Sequence, residues 1–127
     1  MSRLNVLPRG SHHRAEKSWG YEIWVENNNE YCGKELHFTE VGGSTSMHFH
    51  VMKRETMYCV VGAFTIEYID TNDGSRHDII LTEGSSVEIP RLTPHKISSL
   101  LPDSLLLEFS TPHEDQDSFR LSRTQGL

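Results

Sequence analysis

One segment, from Gly42 to Gly62, limits the possible folds of this chain more than any other. It reads GGSTSMHFHVMKRETMYCVVG, with His48 and His50 separated by one residue and Glu55 following a short bend. In an extended strand, alternate side chains point to the same face, so the two imidazoles lie about 7 Å apart along the backbone. If the strand that begins at Glu55 pairs as a neighbour, its carboxylate returns over that face.

A second segment offers a further ligand. Between Gly84 and His95 the chain has a glycine turn, a short strand and a proline-bounded bend before the histidine. With His48, His50 and Glu55, it forms a candidate set of three imidazoles and one carboxylate. Such a set leaves open positions on an octahedral ion and suits Zn, Mn, Fe, Ni or Co, without choosing among them.

Turn signals divide the rest of the chain into short β-rich runs with no convincing helix. The predicted strands, besides the two around the histidine pair and Glu55, are 19–26, 31–40, 63–70, 76–82, 87–90, 95–100 and 104–110. Nine or ten short strands in 127 residues predict one all-β domain, a double-sheet barrel or jelly roll. Its interior is where inward side chains from adjacent strands would meet.

The two segments resemble the paired motifs of the cupin superfamily. The first motif is matched at Gly42, His48, His50, Glu55 and Gly62, and the second at Gly84, Pro90 and His95. Leu92 stands where the second motif usually has glycine, and Ser99 where it usually has asparagine. The resemblance implies a cupin double-stranded β-helix, with His48, His50, Glu55 and His95 as ligands of one divalent metal. The alternative is that these are hydrogen-bonded barrel residues, as in cupins that have lost their metal.

The flanking segments 18–24, 31–36 and 107–113 are similar to small single-domain cupins related to type II mannose-6-phosphate isomerase. That resemblance implies a sugar or sugar-phosphate isomerase working through an enediol, and a homodimer. The candidates to face a partner subunit are Trp19, Tyr21, Ile23 and Trp24; the alternative for Trp19 and Trp24 is a place in the core. Because one barrel supports many reactions, two other classes stay open. They are a dioxygenase or lyase acting on a small carboxylate, and a non-catalytic carbohydrate-binding module.

Three further residues are candidates for catalysis or substrate binding. Lys34 shares a strand face with Leu36, so it is buried if the leucine is, and it would then need an anionic partner unless it reaches water. Glu108 is a candidate general base, although the apolar residues around it allow either face of its strand to point inward. Arg91, beside the second motif, could bind a phosphate with two hydrogen bonds. A solvated surface position is the alternative for Arg91 and Lys34.

Composition excludes several partners. Twelve basic and eighteen acidic side chains give a net charge of −6 with no basic patch, so nucleic acid is not an expected partner. No apolar run approaches the ~18 residues of a membrane span, and the N-terminus lacks the apolar core of a signal peptide. The two cysteines fit neither a zinc site nor a disulfide framework. We therefore expect a cytoplasmic protein with two buried thiols.

The ends of the chain carry no periodic pattern. We expect a flexible arm at residues 1–17, a barrel at 18–121 and a tail at 122–127. Residues 7–13 are either native or the remnant of an expression tag, which they resemble, and in both cases His12 and His13 are not counted as ligands. The acidic run 114–117 is interpreted as solvated, with Phe119 and Arg120 docking back onto the barrel.

Overall fold

A computed structural model of the chain describes residues 3–121 and shows an all-β architecture. In chain order the strands are β1 (His13–Lys17), β2 (Gly20–Asn27), β3 (Cys32–Phe38), β4 (His48–Phe49), β5 (Glu55–Val61), β6 (Ala63–Ile69), β7 (Arg76–Thr82), β8 (Ser86–Ile89), β9 (His95–Ser99), β10 (Ser104–Ser110) and β11 (Phe119–Arg120). One turn of 3-10 helix lies at Asp115–Asp117. Among the described residues, no helix is long and apolar enough to cross a bilayer. The predicted tail at 122–127 lies outside this range.

The strands form two antiparallel sheets. The larger has the order β1-β2-β3-β10-β5-β8, and the smaller has the order β11-β4-β9-β6-β7. Strands distant in sequence therefore become neighbours, as β10 does when it inserts between β3 and β5. The predicted all-β jelly roll is confirmed.

Alternation along the strands of the larger sheet divides the barrel interior into two zones. In β3, Cys32, Lys34, Leu36 and Phe38 are all buried, while the residues between them are less so. The apolar zone is a single cluster. Its buried members are Trp19, Leu36, Phe38, Met57, Cys59, Phe64, Ile66, Leu81, Ile89, Ile97 and Leu106. The polar zone occupies the same inward faces nearer the ends of the strands, and its buried members include Lys34, Glu55, His95 and Glu108.

The N-terminal region differs from expectation. Residues 13–17, assigned from the sequence to a flexible arm, form β1, which pairs along its length with β2. Trp19 is buried and stacks on Phe38 with ring centroids 4.1 Å apart, so it belongs to the core rather than to a subunit interface. Both cysteines are free and buried, as expected.

The bend before His95 contains a leucine in a conformation that favours glycine. Leu92 has φ of 65° and donates its N–H to the His50 carbonyl at 2.7 Å. A left-handed backbone costs an L-residue roughly 1–2 kcal/mol, because Cβ crowds the following carbonyl oxygen. The bend therefore keeps its left-handed turn without the expected glycine, and the backbone is strained at Leu92.

Replacing Leu92 by glycine should relieve this strain. The side chain is 53% exposed, so little packing is lost. We expect Leu92→Gly to raise the unfolding free energy by about 1 kcal/mol and Tm by roughly 3 °C, measured by thermal denaturation. Leu101→Gly is the control, because Leu101 is similarly exposed and has no positive φ. It should lower Tm, since it only adds freedom to the unfolded chain; equal effects in both variants would contradict strain at Leu92.

Candidate metal centre

Three imidazoles meet at the polar end of the barrel. His48 in β4 pairs directly with His95 in β9, and His50 follows two residues later. One ring nitrogen from each histidine lies within 4.8 Å of the other two. Ring centroids are 4.5 Å apart for His48 and His95, and 5.0 Å apart for His48 and His50. The strand pairing thus places the histidines of two distant segments around one point.

Each ring is oriented by a backbone carbonyl. The Nδ1 atoms of His48, His50 and His95 lie 2.8, 3.0 and 2.9 Å from the carbonyl oxygens of Ser46, Asp117 and Thr93. A carbonyl oxygen only accepts hydrogen bonds, so each Nδ1 carries the proton and donates it. In the neutral rings, Nε2 then presents a lone pair towards the shared point. Histidines that bind metal are commonly held in this way.

Glu55 brings a carboxylate to the same point. Its Oε1 lies 3.2 Å from His95 Nε2 and 3.5 Å from His50 Nε2. Among the described residues, neither Glu55 Oε1 nor His95 Nε2 has a hydrogen-bond partner, and both atoms are buried. Two buried lone-pair donors that face each other repel unless a cation lies between them. The residues present therefore fit a divalent transition metal bound by three imidazoles and one carboxylate.

The protonation states of the site agree with this donor set. Burial, and then the neighbouring His95, lower the pKa of His48 to about 3, so its ring is neutral near pH 7. Burial opposes ionisation of Glu55, but His50, His95 and the charge of Lys53 outweigh it and hold the pKa of the carboxyl well below its usual range. For His95, burial lowers the pKa, but the Glu55 carboxylate raises it by more, so the pKa lies above its usual value. A proton on His95 is thus the competitor of a metal ion.

The most informative residue that the sequence analysis missed is Lys53. Its side chain is 3% exposed, and its Nζ lies 2.5 Å from Glu108 Oε2, 3.7 Å from Glu55 Oε2 and 3.1 Å from His113 Nδ1. Burial lowers the pKa of Lys53, but Glu108 and Glu55 raise it more strongly, so the lysine stays charged. Its position two residues before the inward-facing Glu55 was the available signal, because alternate residues share a face.

One residue of the acidic run, Asp117, is part of the site, while residues 114–116 are exposed as expected of a solvated segment. The Asp117 carboxylate accepts the backbone N–H groups of Val51, Met52 and Lys53 at 2.9 to 3.2 Å. Burial raises the pKa of Asp117, but the hydrogen bonds from these amides lower it by more, so the side chain stays ionised. Its carbonyl orients His50. The bend between the ligands is therefore held in place by a residue far along the chain, and β11 pairs with β4 as the docking of Phe119 and Arg120 predicted.

A cavity of about 1300 Å³ opens onto the candidate metal centre. In β10, Ser104, Leu106 and Glu108 are buried while the residues between them are less so, which shows that Glu108 faces inward. Both Glu108 and Lys34 line the cavity. Lys34 is buried rather than extended to water. Arg91 is placed differently: it is exposed, donates from Nε to the Met52 carbonyl at 2.7 Å, and is not among the lining residues. Its role in binding a phosphate stays a prediction from the sequence.

Comparison with solved structures identifies similar folds at low sequence identity. Oxalate decarboxylase from Bacillus subtilis has a TM-score of 0.77 and 19% identity over 87% of this chain and 30% of its own. The capsular polysaccharide assembling protein CapF from Staphylococcus aureus has a TM-score of 0.77 and 18% identity over 87% of this chain and 34% of its own. KdgF from Halomonas sp. has a TM-score of 0.70 and 21% identity over 90% of this chain and 98% of its own.

These similarities establish a shared fold. The chain spans about a third of the length of the decarboxylase and of CapF, and nearly the full length of KdgF. No protein-family model matches the sequence, and no curated protein matches it.

Removing a ligand should abolish metal binding. We expect His50→Ala and Glu55→Ala to lose the bound divalent ion after reconstitution, because each variant removes one of the four ligands. Elemental analysis of the purified proteins measures the occupancy. His77→Ala is the control, since His77 is exposed on β7 and lies outside the trio. Equal metal content in all three variants and the wild type would remove His50 and Glu55 from the ligand set.

Asp117 should control metal affinity without touching the metal. Asp117→Ala leaves three backbone N–H groups without their acceptor, so we expect roughly 10- to 100-fold weaker metal binding and a loss of at least about 1 kcal/mol of stability. Competition with a chelator and thermal denaturation measure the two effects. Glu114→Gln is the matched control on the same turn, where the side chain is exposed and bonds only Gln116. If both variants kept wild-type affinity, the proposed bracing of the ligand bend would be wrong.

Proposed function

We propose that this chain, which has the cupin fold, is a metal-dependent isomerase acting on a sugar or sugar phosphate. The observation that supports this most directly is the inward Glu108 carboxylate on the wall of the cavity, joined through Lys53 to the candidate ligand Glu55. Isomerisation of a sugar needs a base that moves a proton between adjacent carbons, next to a group that stabilises the resulting anion. The cavity contains residues suited to both roles.

Glu108 is the proposed base. Both of its recorded contacts involve Oε2, one with Lys53 and one with the Ser110 hydroxyl, which donates at 3.0 Å. Within residues 3–121, no hydrogen bond to Oε1 is found, so this oxygen is available to accept a proton from substrate and return it. Lys53 holds this carboxylate in place through an ion pair of 2.5 Å. A divalent ion bound at the histidines would polarise the substrate carbonyl and stabilise the developing negative charge.

A lyase acting on a small carboxylate is the second candidate. It would use the same ligands, and the two buried lysines beside the cavity favour an anionic substrate. A dioxygenase would consume oxygen, whereas neither an isomerase nor such a lyase requires it. A non-catalytic carbohydrate-binding cupin would be stabilised by its ligand without turnover. The homodimer and the cytoplasmic location remain predictions from the sequence.

Glu108→Gln tests the proposed base. The amide keeps the shape of the side chain but cannot accept a proton from carbon, so we expect turnover to fall about 10²- to 10⁴-fold with the metal content unchanged. The assay screens metal-reconstituted protein against a panel of sugars and sugar phosphates, and NMR follows proton exchange at the carbon next to the carbonyl. Glu88→Gln, an exposed position on β8, is the control. Wild-type turnover in Glu108→Gln would rule out this residue as the base.

A further inference from the structure

Lys34 is a buried cation whose hydrogen-bonding capacity is largely unused. It is 3% exposed and lines the cavity. Its recorded contacts within residues 3–121 are an ion pair with Glu22 Oε1 at 3.5 Å and the Trp24 ring, whose centroid lies 4.2 Å from Nζ. An ammonium has three donors, and an ion pair of 3.5 Å is long for a charged hydrogen bond. The Trp24 ring attracts the charge of the Lys34 ammonium but accepts no conventional hydrogen bond.

The register of the larger sheet places Lys34 beside the proposed catalytic base. Lys34 in β3 is paired with Glu108 in β10, and Glu108 is paired with Met57 in β5. The three side chains are buried on the same inward face. Directly paired residues lie about 5 Å apart, so a molecule in contact with Glu108 is within reach of the Lys34 ammonium. Lys34 and the candidate metal centre therefore lie on either side of Glu108 and Lys53.

When a divalent ion is bound, the charges lining the cavity leave one positive charge that an anion can balance. The charged residues of its inner part are Lys34, Lys53, Glu22, Glu55 and Glu108. Three carboxylates against two lysines leave one negative charge in excess, and a divalent ion converts it to one positive charge. At the mouth, the exposed side chains of Glu16, Lys17, Asp115 and Arg120 cancel one another. A buried excess charge is costly unless it is paired.

We propose that the substrate of this cavity carries a carboxylate that binds Lys34, and that it binds well only when the metal centre is loaded. This inference builds on the proposed function and names its substrate class, a sugar acid or similar hydroxy acid. A carboxylate supplies the single negative charge that balances the loaded site. A phosphate carries up to two charges and is commonly bound at helix N-termini or by arginine forks. Among the described lining residues, the one arginine is exposed at the mouth.

Three sugars that differ at one carbon test the proposal. D-glucuronate, D-glucose and D-glucose 6-phosphate present a carboxylate, a neutral hydroxymethyl group and a phosphate on the same ring. Their affinities are measured by calorimetry on protein loaded with Zn(II) or Mn(II) and on chelated protein. We expect the loaded protein to bind glucuronate roughly 10- to 100-fold more tightly than glucose, because glucuronate adds one charge-assisted hydrogen bond to Lys34. We expect it to bind glucuronate more tightly than the phosphate as well, because the single charge of the carboxylate balances the loaded site. Chelation should abolish this preference.

Variants assign the preference to Lys34. Lys34→Met removes the charge at similar length and should make glucuronate and glucose bind equally, whereas Lys34→Arg should retain the preference. Lys96→Met, on β9 and not among the lining residues, is the control and should behave as wild type. If Lys34→Met fails to fold, Lys34→Gln, which keeps a polar side chain without the charge, replaces it and should lose the preference in the same way. No preference for glucuronate, or no binding of any of the three sugars by loaded protein, would overturn the proposal.

The outcomes separate this inference from the proposed function. Calorimetry at equilibrium requires no turnover, so a glucuronate preference in an inactive protein would support the carboxylate subsite while leaving the isomerase unsupported. Turnover of a neutral sugar or sugar phosphate without any glucuronate preference would support the isomerase and overturn the carboxylate subsite. A preference for the phosphate that Lys34→Met removes would show an anion subsite of a different class and overturn the carboxylate assignment.

Discussion

The site depends on three hydrogen bonds from histidine Nδ1 atoms to backbone carbonyls. Two of the carbonyls belong to the residues two positions before His48 and His95, so the local backbone sets those rings. The third belongs to Asp117 and sets His50 from the far end of the chain. With each Nδ1 donating its proton to a carbonyl, each neutral ring presents the Nε2 lone pair inward. The fold thereby brings three nitrogen lone pairs to one point, where a cation can bind them.

A row of alternating charges extends from this centre across the cavity. Glu55 lies between the histidines and Lys53, and Lys53 lies between Glu55 and Glu108. Lys34 follows on the adjacent strand. Each charge is buried and depends on its neighbours, so removing one leaves an uncompensated charge in a low-dielectric site. The row couples the candidate metal centre to the proposed base and to the proposed substrate subsite.

The C-terminal segment gives this arrangement its rigidity. The Asp117 carboxylate accepts three consecutive backbone amides of the bend that joins the two ligand strands, and β11 extends the smaller sheet beside β4. Lys53 sits on the braced bend. The same few residues therefore position a histidine ring and the ammonium that holds Glu108.

Local spacing in the sequence determined the all-β fold, most strand positions and the residues that converge on the candidate centre, because alternation and turn chemistry are properties of short segments. It also placed Lys34 inward, through its parity with Leu36. The inward orientation of Glu108, the burial of Lys53 and the exposure of Arg91 were decided only by the tertiary structure. Apolar residues on both faces of β10 made its parity ambiguous, and a lysine in a bend shows no periodicity. Likewise, Leu92 adopts a glycine-like φ and residues 13–17 join the sheet, because long-range strand pairing and packing outweigh local preference.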